Sequence, residues 1–147
     1  MEFKLPLATL SSRLIDATYP SYQEAIPLDN DKPIILDAKA FAAAIDRVAT
    51  VAQDKDKVKI IKFSVCDNTL TLSAASSAIG DGMEEIAVDY PFDTTIEIGF
   101  NARYLLDVAQ QINDDEAEIL LSEAGAPAII KGISDKESLF VIMPVRI

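Results

Sequence analysis

Pro33-Ile-Ile-Leu-Asp-Ala-Lys-Ala-Phe-Ala-Ala-Ala-Ile-Asp-Arg-Val-Ala-Thr-Val51 changes its hydrophobic period part-way along. Pro33–Leu36 is an apolar run of strand length. From Phe41 onward the apolar positions are Phe41, Ala44, Ile45, Val48 and Val51, which fall on one stripe of a helix. Asp37 stands between the two patterns. Its short carboxylate suits an N-cap, where it accepts a hydrogen bond from an orphan N–H of the first turn. Strand followed directly by helix is therefore the local prediction. Downstream, Gln53-Asp-Lys-Asp-Lys57 reads as a charged turn. Val58–Val65 and Thr69–Ser73 read as a hairpin across Asp67-Asn68, residue types that tolerate left-handed backbone. Ala75–Gly82 is small and is expected to be flexible, and Met83–Val88 is a further strand.

The same order then returns. Thr95–Ile98 is a strand, Asn101 an N-cap, and Tyr104, Leu105, Val108 and Ile112 the apolar positions of a second helix that ends at Asn113-Asp-Asp-Glu116. Ala117–Leu121, Ala128–Lys131 and Ser138–Met143 follow as strands, punctuated by Gly125, Pro127 and Gly132. Phe41 and Ile45 match Tyr104 and Val108 at a shift of 63 residues. The unit strand, helix, three strands is thus duplicated in architecture more than in identity. Two helices and about eight strands predict an α+β domain, with the helices packed on one side of antiparallel sheet. Upstream, residues 2–15 alternate loosely and Pro6 argues against a central strand. Thr18–Pro27 is an extended connector, and Leu28-Asp-Asn-Asp-Lys-Pro33 is the best domain boundary.

Composition narrows the function. The 147 residues suit one domain, or one domain with a piece of another, and 50% hydrophobic residues supply a core. Met1-Glu-Phe-Lys4 lacks the pattern of a signal peptide and no apolar run is long enough to span a bilayer, so a soluble, intracellular protein without membrane association is expected. There is no histidine, which removes the usual general base and the commonest zinc ligand. Lone Cys66 allows neither an internal disulfide nor a thiolate cluster and reads as an ordinary strand-end thiol. No phosphate-cradling glycine motif is present. Asp54 and Asp56, and Asp114, Asp115 and Glu116, fall in turns where solvated acids are ordinary, as are Glu84 and Glu85. No catalytic residue, metal ligand or cofactor is therefore expected. The net charge of -11 opposes a protein that grips nucleic acid with its whole surface, but leaves room for local cations on one face. Lys39, Arg47 and Arg103 lie on the polar faces of the helices.

Four stretches together carry a resemblance. They are Ser12-Arg-Leu-Ile-Asp-Ala-Thr-Tyr-Pro-Ser-Tyr22 with Ile26-Pro27, Asp67-Asn-Thr-Leu-Thr-Leu72, Ile98-Gly-Phe-Asn-Ala-Arg-Tyr-Leu-Leu-Asp-Val108 and Val141-Ile-Met-Pro-Val-Arg-Ile147. In one register through nearly the whole chain, they resemble the bacterial DNA sliding clamp, the beta subunit of the replicative DNA polymerase III. Members have three similar domains per chain and close head to tail into a homodimeric ring around duplex DNA. The resemblance implies the DNA-clamp fold, with residues 1–27 the tail of the middle domain and its linker and 28–147 the third domain. Met1 would then be a start introduced by truncation, which the mass of the native gene product would test.

The implied function is non-enzymatic. The ring holds duplex DNA without base readout and tethers polymerases, the clamp loader and repair proteins by their clamp-binding peptides. By position, the groove for such a peptide comprises Pro20, Tyr22, Ala25, Asn101, Tyr104, Val141, Ile142, Met143, Pro144, Val145 and Arg146. Arg47 and Arg103 would face the DNA hole, and Thr50, Val51, Glu84 and Glu85 would lie at the ring's dimer contact. Glu24 stands where the family often has arginine, and Gly125 where a pocket-wall aliphatic can occur. With half its groove missing, the chain alone is expected to bind such peptides weakly, as a monomer or weak edge-paired dimer. A small acidic α+β enzyme using carboxylates is the alternative from another class, and an unrelated interaction domain of similar fold a third.

Overall fold

The computed structural model describes residues 1–51, 59–76 and 80–147. The predicted turn at Gln53–Lys57, with Asp54 and Asp56, lies outside them, as does Val58. The chain opens with a hairpin, β1 (Glu2–Leu5) and β2 (Ala8–Ser11), that turns at Pro6-Leu7. Every residue from 1 to 25 is exposed, so this segment adds nothing to the core. The expected extended connector contains a short 3-10 turn at Tyr22–Ala25.

Two similar halves follow. The first runs β3 (Lys32–Asp37), α1 (Ala38–Val51), β4 (Ile60–Cys66), β5 (Thr69–Ser76) and β6 (Gly80–Ala87). The second runs β7 (Ile96–Asn101), α2 (Ala102–Ala109), β8 (Glu116–Leu121), β9 (Ala128–Gly132) and β10 (Phe140–Ile142). Both caps form as the residue types predict. Asp37 accepts from the N–H of Ala40 at 2.7 Å, and the Asn101 side chain accepts from that of Arg103 at 2.9 Å. Asp67 and Asn68 both take positive φ, 48° and 57°, which closes a two-residue turn of the hand that matches strand twist.

The halves exchange their first strands. One four-stranded sheet has the order β10-β9-β8-β3 and the other β6-β5-β4-β7, both antiparallel. Each sheet therefore takes an edge strand from the other half. The two helices pack against each other and cover the inner faces. The alternating pattern of β4 puts Ile61, Phe63 and Val65 inward and leaves Lys62 and Ser64 on the outer face. Phe63 meets Phe41 of α1 edge-on at 6.0 Å and Phe100 of β7 at 5.1 Å, so three aromatic rings join a helix to both halves. Among the described residues no helix is long and apolar enough to cross a membrane.

Several expectations need correcting. The duplication runs at a shift of 64 residues, not 63: Asp37 corresponds to Asn101, Ala38 to Ala102 and Phe41 to Leu105. Matching Phe41 with Tyr104 set like beside like, but Tyr104 is 58% exposed while Leu105 is buried. Helix α2 ends at Ala109, short of Ile112. The strands flanking Ala75–Gly82 extend into it, with Ser76 paired to Gly80, because small residues still complete a ladder of backbone bonds. The strand expected at Ser138–Met143 is confined to Phe140–Ile142.

Replacing Phe63 by alanine removes the ring common to both contacts. The expected loss is about 3–5 kcal/mol of stability, read as a lowered denaturant midpoint with an unchanged slope.

Candidate functional site

The last residues lie across the structure and not free of it. Beyond β10 the chain leaves its sheet and crosses to the outer side of β7, where the N–H of Val145 donates to the carbonyl of Gly99 at 2.7 Å. Strand β10 also packs against α2. The tail thus stitches the two sheets together. Along it, Ile142 is buried, Val141, Pro144 and Val145 are half-buried, and Arg146 and Met143 are exposed, Met143 to 66%. Asn101 and Tyr104 are on the neighbouring β7–α2 junction. Asn101 spends its side-chain oxygen on the helix cap, and Tyr104 presents its ring to solvent.

The structure therefore brings together the expected residues from Asn101 to Arg146. For Pro20, Tyr22 and Ala25 the structure shows only their exposure in and before the 3-10 turn. Among the described residues no hydrogen bond links these three to the tail. Glu24 is exposed in the 3-10 turn, and a side chain at Gly125 would meet nothing within 4 Å. Two neighbours were missed by sequence reasoning. Val141 pairs with Ile129, and Ile129 with Leu120, so an apolar row runs over the outer face of the sheet beside the tail. Ile129 is only 7% exposed although it points away from the helices. The signal was Ala128-Ile129-Ile130, a continuous apolar run where a one-sided strand alternates.

A second surface forms where the end of α1 meets edge strand β6. Val51 lies over Gly82, where a Cβ would sit 2.8 Å from its methyl group. Arg47 grips Glu84 with two nitrogens of its fork: Nε donates to Oε1 and Oε2 at 3.0 Å each, and Nη2 donates to Oε1. That guanidinium holds the Glu84 carboxylate below its usual range, and the same hydrogen bonds raise Arg47. Thr50 is exposed in the last turn of α1, and Glu85, next along β6 and so on the other face of the strand, is exposed too. Arg47, expected toward DNA, and Glu84, expected at the ring contact, are thus partners. Arg103 is exposed in the first turn of α2. Among the described residues the other shifted carboxylates are also lowered, Asp31 by Lys32 and Asp135 by the backbone N–H of Glu137 and by Ser138. A general acid working near neutral pH needs the opposite shift.

A family model described as the DNA polymerase III beta subunit, C-terminal domain, matches residues 23–146. The chain belongs to this family. It is 38% identical over 147 residues to the beta sliding clamp of Caulobacter vibrioides, covering 100% of this chain and 39% of that protein. With the beta sliding clamp of Rickettsia felis it shares 33% identity over 144 residues, 92% of this chain and 38% of that one. The solved sliding clamp of Bartonella birtlesii bound to griselimycin superposes with a TM-score of 0.86 at 38% identity, covering 99% of this chain and 38% of that one. The chain thus spans well under half the length of these clamps.

Two outcomes follow from the caps and the ion pair. Asn101→Ala costs about 1 kcal/mol through the lost cap, seen as faster amide exchange in the first turn of α2. Glu84→Gln removes a contribution that is present above the ordinary glutamate range and lost as pH falls through the depressed folded-state value. The stability difference between wild type and Glu84→Gln should therefore shrink below about pH 4, as followed by urea unfolding across pH.

Proposed function

We propose that this chain is the C-terminal part of a processivity clamp, a non-catalytic ring that encloses duplex DNA and tethers polymerases, the clamp loader and repair proteins. In this reading residues 1–27 complete a middle domain and 28–147 form the third. The exposure of residues 1–25 supports it. A lone two-stranded hairpin is marginal in water, and Phe3, Leu5, Leu7 and Leu10 need cover from an upstream core. Ring closure would use edge strand β6, which carries Glu84 and Glu85, and the end of α1, which carries Thr50 and Val51.

The observation that carries the reading is the docked tail, which holds exposed Met143 next to the helix that exposes Tyr104. An adaptable thioether, an aromatic ring and an aliphatic floor suit a short apolar peptide. Tethering by such a peptide acts through effective concentration and needs no bond chemistry. On the DNA side, contact would be to phosphates alone, nonspecific and salt-dependent. Arg103 would contribute directly, and Arg47 would do so in competition with Glu84.

The test is an anisotropy titration of a labelled clamp-binding peptide into this chain and into a version ending at Phe140. Weak saturable binding that disappears on truncation is expected, with tighter binding once the upstream domains are restored. Binding indifferent to the truncation would overturn the groove.

A further inference from the structure

The halves match so closely that one difference stands out. In the first half, the segment that leaves β6 returns to bond β3: Asp89 donates to the Ile35 carbonyl at 2.9 Å and accepts from the Ile35 N–H at 3.2 Å. In the second half, the segment that leaves β10 returns to bond β7 through Val145 and Gly99. Ile35 and Gly99 are equivalent at the shift of 64 residues that relates the two caps. One position bears a β-branched side chain and the other has no side chain. The bridge itself therefore does not require glycine.

Nor does the backbone. Only Gly80 among the described glycines has positive φ, so Gly99 sits in a conformation open to any residue. What the glycine supplies is space. A Cβ there would run into the Ile147 side chain, lie 2.9 Å from the Val145 carbonyl oxygen and 3.3 Å from a methyl of Ile60. A flexible side chain can turn aside, but the carbonyl belongs to the tail's backbone and yields only if the tail lifts. Ile147, reaching across Gly99, also lines a depression on the outer face of this sheet with Ile60, Lys62, Ser73 and Met83. Both ends of the crossing are thus set by the missing Cβ.

We infer that Gly99 is a positioning residue for partner peptides: it sets the depth at which Met143–Ile147 lies on β7, and through the tail it sets the shape of the groove. The inference rests on the peptide-groove reading above, and its test separates the two.

Gly99→Ala is made in the 147-residue chain and in the protein with its upstream domains restored. Amide exchange is followed at Val145, whose N–H is held by Gly99, and at Asp89, whose N–H makes the equivalent bond. Peptide affinity is measured on the restored protein. The expected result is loss of protection at Val145 with Asp89 unchanged, and peptide binding weakened by about tenfold or more. Protection at Val145 equal to wild type would overturn the inference, because the tail would not have moved. Lost protection with full peptide affinity would overturn it too, because tail depth would not shape the groove. If the unaltered protein binds no peptide, the groove reading fails and the inference falls with it, while the Val145 readout still reports whether Gly99 seats the tail. Should Gly99→Ala fail to fold, the same substitution is made in a chain lacking Met143–Ile147. That chain must tolerate alanine as well as glycine. If it does not, Gly99 serves the sheet and not the tail, and the inference is overturned.

Discussion

Strand exchange is the constraint from which the rest of this structure follows. β3 is hydrogen-bonded into a sheet otherwise built by the second half, and β7 into one built by the first. Each exchanged strand runs straight into a helix, so placing the strand also places the helix. Ala38 donates to the Asp115 carbonyl at 2.9 Å, and its counterpart Ala102 donates to that of Lys59 at the same distance. Each helix start is thus pinned to the strand that the exchange set beside it. Neither half completes a sheet or covers a core alone, so the two are expected to fold as one cooperative unit.

The exchange also decides where exit segments go. A strand delivered to the far sheet leaves one edge open, and an open edge carries unpaired backbone groups. Asp89 covers part of that edge on β3 and Val145 part of it on β7. After Asp89 the chain turns inward: Tyr90 is buried, and its hydroxyl is satisfied by Thr94 at 3.0 Å. After Val145 the chain stays on the surface. One symmetric position therefore serves the core in one half and offers a surface in the other.

Much of this was legible in the sequence because local chemistry spoke plainly. Asp37 and Asn101 are caps that only short polar side chains make, and Asp67-Asn68 is a turn few other pairs tolerate. The repeated order of strand, helix and three strands followed from hydrophobic period. The errors came where residue type and position disagreed. Tyr104 was matched to Phe41 across the duplication, yet the cap register makes Leu105 the counterpart of Phe41 and leaves Tyr104 exposed. Arg47 and Glu84 lie 37 residues apart and meet only because α1 crosses β6, a contact that no periodicity encodes. Ile129 was readable as apolar, but its covered outer face depends on Leu120 and Val141 in neighbouring strands. The meaning of Gly99 needed both halves at once. A glycine inside a strand signals a close approach by something, and only the structure identifies the tail as what approaches.

The same geometry bears on how an acidic chain would act around DNA. The cations of α1 are not free: Lys39 lies 3.2 Å from Asp115, and Arg47 is gripped by Glu84. The Lys39–Asp115 pair is solvent-exposed and therefore weak, whereas Glu84 is half-buried in a bidentate grip and that pair is firmer. A phosphate would have to displace a carboxylate already in place, so each contact would yield only the difference between two similar interactions. In the ring we propose, such contacts would together favour DNA over bulk water without holding any one register, and salt would erode them quickly. A ring of the proposed kind would gain from this arrangement, since a deep well at each phosphate would oppose sliding. In that reading, self-paired cations would flatten the path along DNA at little cost in binding.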